Sequence, residues 1–237
     1  MVGEAPDQAS LNSELKRNIR KRFFQILIHF LLFSAILFIS SDNLRWVWAW
    51  IYILMYVVYT IINSFLFSKE LIAERGKTKE NVKQWDKVLT KLAIIPGLAT
   101  PLVAGLDERF HWQPDFSINI NIISLAFYIL GNVIVSWSMI SNEYFSTHVR
   151  IQTDREHKVA TAGPYRYVRH PGYVGMILNT LFTPLMLGSF WALIPGLLMV
   201  IFFVTRTALE DRTLQQELEG YSEYVKQVKF KLVPGIW

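Results

Sequence analysis

The sequence predicts an all-α fold, a polytopic integral-membrane bundle of about six transmembrane helices with N- and C-termini in the cytosol. Three observations lead there. Of 237 residues, 52% are hydrophobic and 18% charged, whereas soluble domains carry roughly 25% charged residues, so material for a wetted surface is short. Apolar stretches such as 23–40 and 46–68 approach or reach the ~20 residues that cross a bilayer as a helix. Basic residues also segregate by loop, as described below. A soluble globule, a disordered chain and a collagen-like fibre are excluded. With no cysteine, disulfides, thiolate nucleophiles and sulfur-ligated metals are excluded too.

Taken in order, residues 1–22 read as a disordered, basic N-terminal tail. Spans follow at roughly 23–40 and 46–68. A weaker one at 88–106 holds Pro96, Gly97, Pro101 and Gly105, and a fourth covers 118–140. Backbone amides in hydrocarbon must pair within their own segment, so each span is expected to be a helix. Residues 69–90 are polar, with Trp85 as an interfacial aromatic, and suit an amphipathic helix on the membrane surface. The last two spans, about 173–188 and 190–208, form a hairpin turning at Gly188-Ser189. Pro184 and Pro195 are expected to kink them, because proline removes an amide donor and crowds the preceding turn. Ser40-Ser41-Asp42 offers no small-residue cleavage site, so the first span reads as a retained anchor and not a signal peptide.

The net charge of +5 suggests nucleic acid or anionic lipid, and position decides between them. With the N-terminus cytosolic and the spans alternating, only Arg45 and Arg109 of the 24 Lys and Arg residues fall outside cytosolic segments. The positive-inside rule is thus obeyed on every loop. A five- or seven-span arrangement would put a basic cluster on the wrong side. Topology accounts for the charge, and no nucleic-acid partner is expected.

Chemistry concentrates between the fourth and fifth spans. Gln152, His157, Val159, Gly163-Pro164-Tyr165 and Arg169-His170-Pro171-Gly172-Tyr173 lie within about two dozen residues. The two prolines restrict themselves and the residues before them, which stiffens the loop and pre-aims its side chains. A rigid, cationic, aromatic loop suits an anionic ligand with a planar ring. A plain interfacial anchor of Tyr and Arg fits the composition equally well. At the end of the sixth span, Arg206 and Glu210 share a helix face. A salt bridge there would contribute ~0.3–0.5 kcal/mol. However, Arg before Glu is the less favourable order, and ionisable groups at a membrane boundary are costly without a task, so a functional pair is expected. Asp211, about a quarter turn away, reads as solvent-facing charge. His148, His157 and His170 match no helical metal spacing, and no metal is expected. Gln25 and His29 suit hydrogen bonds to a neighbouring helix, and Asn63, Asn132 and Asn142 suit an interior cavity or helix pairing.

These residues carry a resemblance. His157-x-Val159, Gly163-Pro-Tyr165, Arg169-His-Pro-Gly-Tyr173-x-Gly175 and Arg206-x3-Glu210, with the ending Gly220-Tyr-Ser-Glu-Tyr224…Lys231-Leu-Val-Pro234-Gly-Ile-Trp237, resemble the isoprenylcysteine carboxyl methyltransferase family of integral-membrane enzymes, in its prokaryotic form. The resemblance covers roughly 140–237. It implies methyl transfer from S-adenosyl-L-methionine to a lipophilic acceptor, most directly a carboxylate. It further implies that Gln152, His157, Val159, Tyr165, Arg169, His170, Pro171, Tyr173 and Glu210 hold the cofactor, and that Arg206 holds the acceptor. Arg206 and Glu210 are then the catalytic pair. The implied organisation is a tail (1–22), four membrane helices with a cytosolic amphipathic loop (23–140), and a catalytic module (141–237). The implied setting is a bacterial or archaeal inner membrane, with the site on the cytosolic face and membrane lipids as partners. Two alternatives are a phospholipid or amine N-methyltransferase and a non-catalytic protein that binds anionic lipids.

Overall fold

The chain is described here by a computed structural model covering residues 8–77 and 81–237, with side chains from residue 12 onward. Its first helix, α1 (Gln8–Ser41), already departs from expectation. Residues 8–22, expected to be disordered, extend the first span as one 34-residue helix, and residues 1–7 lie outside the described part. The reason is tertiary. A short helix, α3 (Lys69–Gly76), packs against this stretch, so closely at Gly76 that a Cβ there would come within 2.1 Å of the Asn18 carbonyl oxygen. Packing of this kind, more than propensity, stabilises helices.

Between them runs α2 (Val47–Leu66). Ser68 caps α3 by accepting the Leu71 N–H at 3.2 Å, and Glu70 and Arg75 suit its two dipole ends. The surface helix expected over 69–90 is therefore only eight residues long. Residues 78–80 lie outside the described part, and Trp85 falls in the first turn of α4 (Gln84–Phe110). Then come α5 (Ile118–Ile140), α6 (Pro171–Met186), α7 (Leu193–Glu217) and α8 (Tyr221–Gln227). No strand occurs among the described residues.

The α6–α7 turn follows from glycine. Gly188 adopts φ +86°, while Ser189 N–H reaches Pro184 O at 2.9 Å and Gly188 N–H reaches Leu185 O at 3.1 Å. This is a Schellman closure, which needs a left-handed residue just past the helix end. Pro195 does not interrupt its helix as expected. It sits in the first turn of α7, where the amide has no intrahelical acceptor to lose. The α5–α6 pair rests on Gly131 and Gly175, where an added Cβ would fall within 2.8 Å or less of the partner glycine's carbonyl oxygen. Small residues allow such close approach of membrane helices.

Contacts at the two ends show the chain running back and forth. At one end Asn43 donates to Glu108 (2.9 Å), Arg109 pairs with Asp42 (3.3 Å), and Gln113 donates to Gly188 O (2.7 Å). At the other end Lys83 meets Glu217 (2.6 Å), Arg150 meets Glu74 (3.1 Å), and Arg206 meets Asp86 (2.8 Å). Arg45 lines the first end, where Arg109 also lies, as the charge pattern requires. Five described helices are long and apolar enough to cross a membrane: α1 from Asn12, α2, α4, α5 and α7. With 16 residues, α6 spans about 24 Å and runs beside α5 and α7 between the same two ends. Leu27, Leu31, Leu54, Ile61, Ile95, Ile123, Val133 and Ile201 stand exposed on the helices, the outward apolar surface of a protein solvated by lipid. The chain is a multi-pass membrane protein.

Candidate active site

At the basic end one cleft is walled by the 142–173 segment, the start of α6, the end of α7, and α8. It borders about 850 Å³ of space, open solvent at its mouth included.

The back wall forms first. In the 3-10 turn Gly163–Arg166, Gly163 takes φ +57° and Pro164 starts the turn, swinging Tyr165 inward onto Leu218, Tyr221 and Tyr224. Its hydroxyl accepts from Asn142 Nδ2 at 3.2 Å and its carbonyl accepts from the Tyr224 hydroxyl at 2.6 Å. Burial pushes the Tyr165 phenol well above its ordinary value, so it remains a neutral wall residue.

Next to it lies a closed ionic network. Arg169 donates from Nε and Nη2 to the two oxygens of Asp211 (2.7 and 3.0 Å), and from Nη1 to the carbonyls of Val228 and Lys229 (both 2.8 Å). Asp211 also accepts from the Tyr221 hydroxyl (3.0 Å) and Gln215 Nε2 (2.8 Å), and His170 Nε2 lies 3.2 Å away. The expectation that Asp211 faces solvent is therefore wrong, since it is 1% exposed. A quarter turn from Glu210 on α7 points inward here because the 228–231 tail folds over the helix end. Arg169 N–H and His170 N–H pair with the carbonyls of Phe230 and Lys231. A fork so fully engaged clamps the tail to α7.

One turn earlier, Arg206 meets a residue that sequence reasoning missed. Asp86, 0% exposed at the start of α4, accepts Arg206 Nε at 2.8 Å, lies 3.2 Å from His148 Nδ1, and accepts Val149 N–H at 3.0 Å. Arg206 Nη2 donates to Thr147 O at 2.8 Å, and the guanidinium lies over the Tyr173 ring, 5.7 Å from its centre. The guanidinium is thus oriented on two edges, and Arg206 lines the cleft. One signal for Asp86 was present, an acid among lysines at the edge of an apolar span. Arg206 and Glu210 form no salt bridge with each other among the described residues, since each has another partner. Glu210 Oε2 accepts the Tyr173 hydroxyl at 2.5 Å, and Oε1 carries no hydrogen bond among the described residues.

The mouth is formed by Gln152, His157 and Tyr144. Gln152 is 1% exposed, with Nε2 on Tyr144 O (2.5 Å) and Oε1 on Arg155 (3.0 Å). Its amide holds the loop shape. Its backbone N–H points at His157 Nδ1 (3.4 Å), while the His157 ring packs on Tyr144, centroids 4.5 Å apart. Burial, with Arg150 and Arg155 nearby, pushes the His157 imidazole down to about 4. It is neutral at pH 7, with Nδ1 as acceptor and the proton on Nε2. Ser146 Oγ lines the same cleft, buried and without a hydrogen-bond partner among the described residues.

Of the expected site residues, Gln152, His157, Tyr165, Arg169, His170, Tyr173, Arg206 and Glu210 line this one cleft. Val159 lies behind the wall, packed with Tyr165 and Leu218, and Pro171 is buried at the start of α6. No metal-binding group of His, Asp and Glu occurs among the described residues.

Residues 124–216 match the profile of the isoprenylcysteine carboxyl methyltransferase family. The chain is similar to the protein-S-isoprenylcysteine O-methyltransferase of Schizosaccharomyces pombe, 33% identical over 153 residues that cover 58% of this chain and 64% of that protein. Protein-S-isoprenylcysteine O-methyltransferase B of Arabidopsis thaliana is 30% identical over 143 residues, covering 59% and 64%. The chain thus spans just under two thirds of the length of these relatives. A solved structure of a eukaryotic intramembrane Ras methyltransferase, an isoprenylcysteine carboxyl methyltransferase, aligns with a TM-score of 0.46 at 15% identity, covering 94% of this chain and 98% of that one.

Proposed function

We propose that the protein is a membrane methyltransferase that uses S-adenosyl-L-methionine to methylate the carboxylate of a lipophilic acceptor, such as a prenylated cysteine. It works at the cytosolic face of a prokaryotic inner membrane. One observation carries the reading: the Tyr173–Glu210 contact and the Arg206 guanidinium wall the same cleft, putting an anion and a cation within reach of one small ligand pair. The catalytic module is 141–237, supplemented by Asp86 from α4.

The groups fit the donor. Glu210 Oε1 is an open acceptor for a hydroxyl or ammonium group, Ser146 Oγ is a buried hydroxyl in want of a partner, and Tyr144 and His157 offer ring faces. When bound, the donor supplies an electrophilic methyl on a sulfonium. The chain's own task is alignment and exclusion of water. Tyr173 holds Glu210, Asp86 and Thr147 O hold Arg206, and Phe145, Met176 and Leu214 dry the cleft. Gln152, Arg169 and His170 act one step back, by fixing the loop.

A carboxylate acceptor is ionised at pH 7 and needs a cation, which Arg206 provides as a permanently charged fork. An amine acceptor needs a proton removed, and an imidazole pushed down to about 4 is a poor base for an ammonium group. The test is incubation of membranes containing the protein with methyl-labelled donor and a farnesylated cysteine. Base-labile, volatile label is expected. Base-stable label on endogenous lipid would move the assignment to amines.

A further inference from the structure

A second cavity lies between α1, α2, α3 and α5, lined mostly by residues that precede the family-matched region, with Val135 and Met139 of α5 from within it. It holds about 1270 Å³ of space, open solvent at its mouth included, and its lining includes Arg22, Arg75, Tyr56, Tyr59 and Asn63 among apolar Phe23, Ile26 and Met139. Two guanidinium groups enter this space and, among the described residues, no carboxylate lines it. The packing of Gly76 onto the Arg22 backbone forces Arg75, one residue earlier, to sit beside Arg22. Arg75 Nη1 is buried without a hydrogen bond among the described residues, as is Asn63 Oδ1. The other arginines of the interior are matched, Arg169 by Asp211, Arg206 by Asp86 and Arg150 by Glu74. Burial together with Arg22, and Arg206 farther off, holds the Arg75 guanidinium down at about 9, still charged at pH 7.

Like charges near each other in a semi-apolar cavity are unfavourable unless an anion joins them. We propose that this cavity binds the anionic phosphate or carboxylate group of a membrane amphiphile between Arg22 and Arg75, with Asn63 accepting from an adjacent hydroxyl or N–H. Three features point to an amphiphile. The cavity sits at the membrane's basic edge, its lining sets Phe23, Ile26, Phe67, Ile72, Val135 and Met139 beside its polar groups, and the flanking surfaces of α1 and α2 expose Phe24, Ile28, Ile62 and Phe65 to lipid. Basic pockets between membrane helices on the cytoplasmic side are suited to acidic headgroups. Arg75 also lies over the Phe145 ring, 5.6 Å from its centre. Phe145 lines the catalytic cleft, so an occupant would abut the active site without entering it.

The experiment uses the full chain in a neutral detergent, without methyl donor, so that it is independent of the methyl-transfer reading. Thermal unfolding is followed as phosphatidylglycerol, phosphatidylcholine or inorganic phosphate is titrated in. Phosphatidylglycerol is expected to raise the midpoint saturably and phosphatidylcholine not to. The double variant Arg22→Gln/Arg75→Gln is expected to weaken the phosphatidylglycerol effect at least about tenfold in apparent affinity. Without lipid it should be at least as stable as the parent, because the repulsion is gone, and this separates loss of binding from loss of folding. Inorganic phosphate matching the lipid at equal concentration would keep the anion site but assign it to a free anion. Equal responses to the two lipids, or a double variant that responds like the parent, would overturn the proposal.

Discussion

Glu210 and Asp211 are consecutive acids on one helix, yet they serve opposite ends. Asp211 is sealed in a network in which Arg169, Tyr221 and Gln215 satisfy both oxygens and His170 stands alongside. Glu210 faces the cleft with one oxygen held by Tyr173 and the other open. Helical geometry puts about 100° between neighbours, enough to turn one toward the folded tail and the other toward the ligand space. A carboxylate with a full set of donors holds structure together, whereas one with a half-set is available for chemistry.

The sharpest way to break this contrast is Asp211→Ala. It leaves the buried Arg169 charge unmatched, which costs about 3–5 kcal/mol. The unfolding midpoint in detergent should fall by at least about 6 °C, with donor binding lost as a consequence. Stability within about 1 °C of the parent would mean the network is dispensable. Glu210→Gln should do the reverse, with donor affinity by calorimetry falling at least about tenfold while the midpoint scarcely moves. Unchanged affinity would remove Glu210 from the donor site.

Asp86→Asn tests the cation on the turn before. It frees Arg206 Nε from its charged partner, so turnover should drop about tenfold to a hundredfold with the acceptor KM raised and donor affinity kept. A loss of donor affinity instead would exchange the roles of Arg206 and Glu210. The smallest effect concerns pH. Because the folded state holds His157 at about 4 and its unfolded value is about 6.5, the unfolded chain binds more protons between those values. Its stability contribution is complete above about 6.5 and is lost as pH falls toward 4. In His157→Gln the unfolding midpoint should therefore depend less on pH between 4 and 6.5. An unaltered pH profile would show that His157 titrates freely.

The span read at 118–140 coincides with α5, and α6 begins at Pro171, because apolar length and an opening proline are local signals. The site motifs were equally legible, since most lie in one short loop and one helix turn. Three points were not. Pro195 reads as a kink until the helix start is known to lie two residues before it. Residues 8–22 look unstructured until α3 is seen to pack on them. Asp86 gives no local hint that it meets Arg206, which lies 120 residues away.

From the chain alone follow the class of fold, the alternation of crossings, the side of the membrane that gathers the basic loops, and the loop on which chemistry concentrates. Each depends on how residues partition between water and lipid, or on backbone restriction, and both act over short stretches of sequence. Only the assembled bundle decided which charges neutralise one another. Ion pairing depends on distance and exclusion of water, and those are set by which helices pack side by side. That is why Arg169 became a clamp, Arg206 an oriented cation, and Arg22 and Arg75 a pair with no anion between them among the described residues.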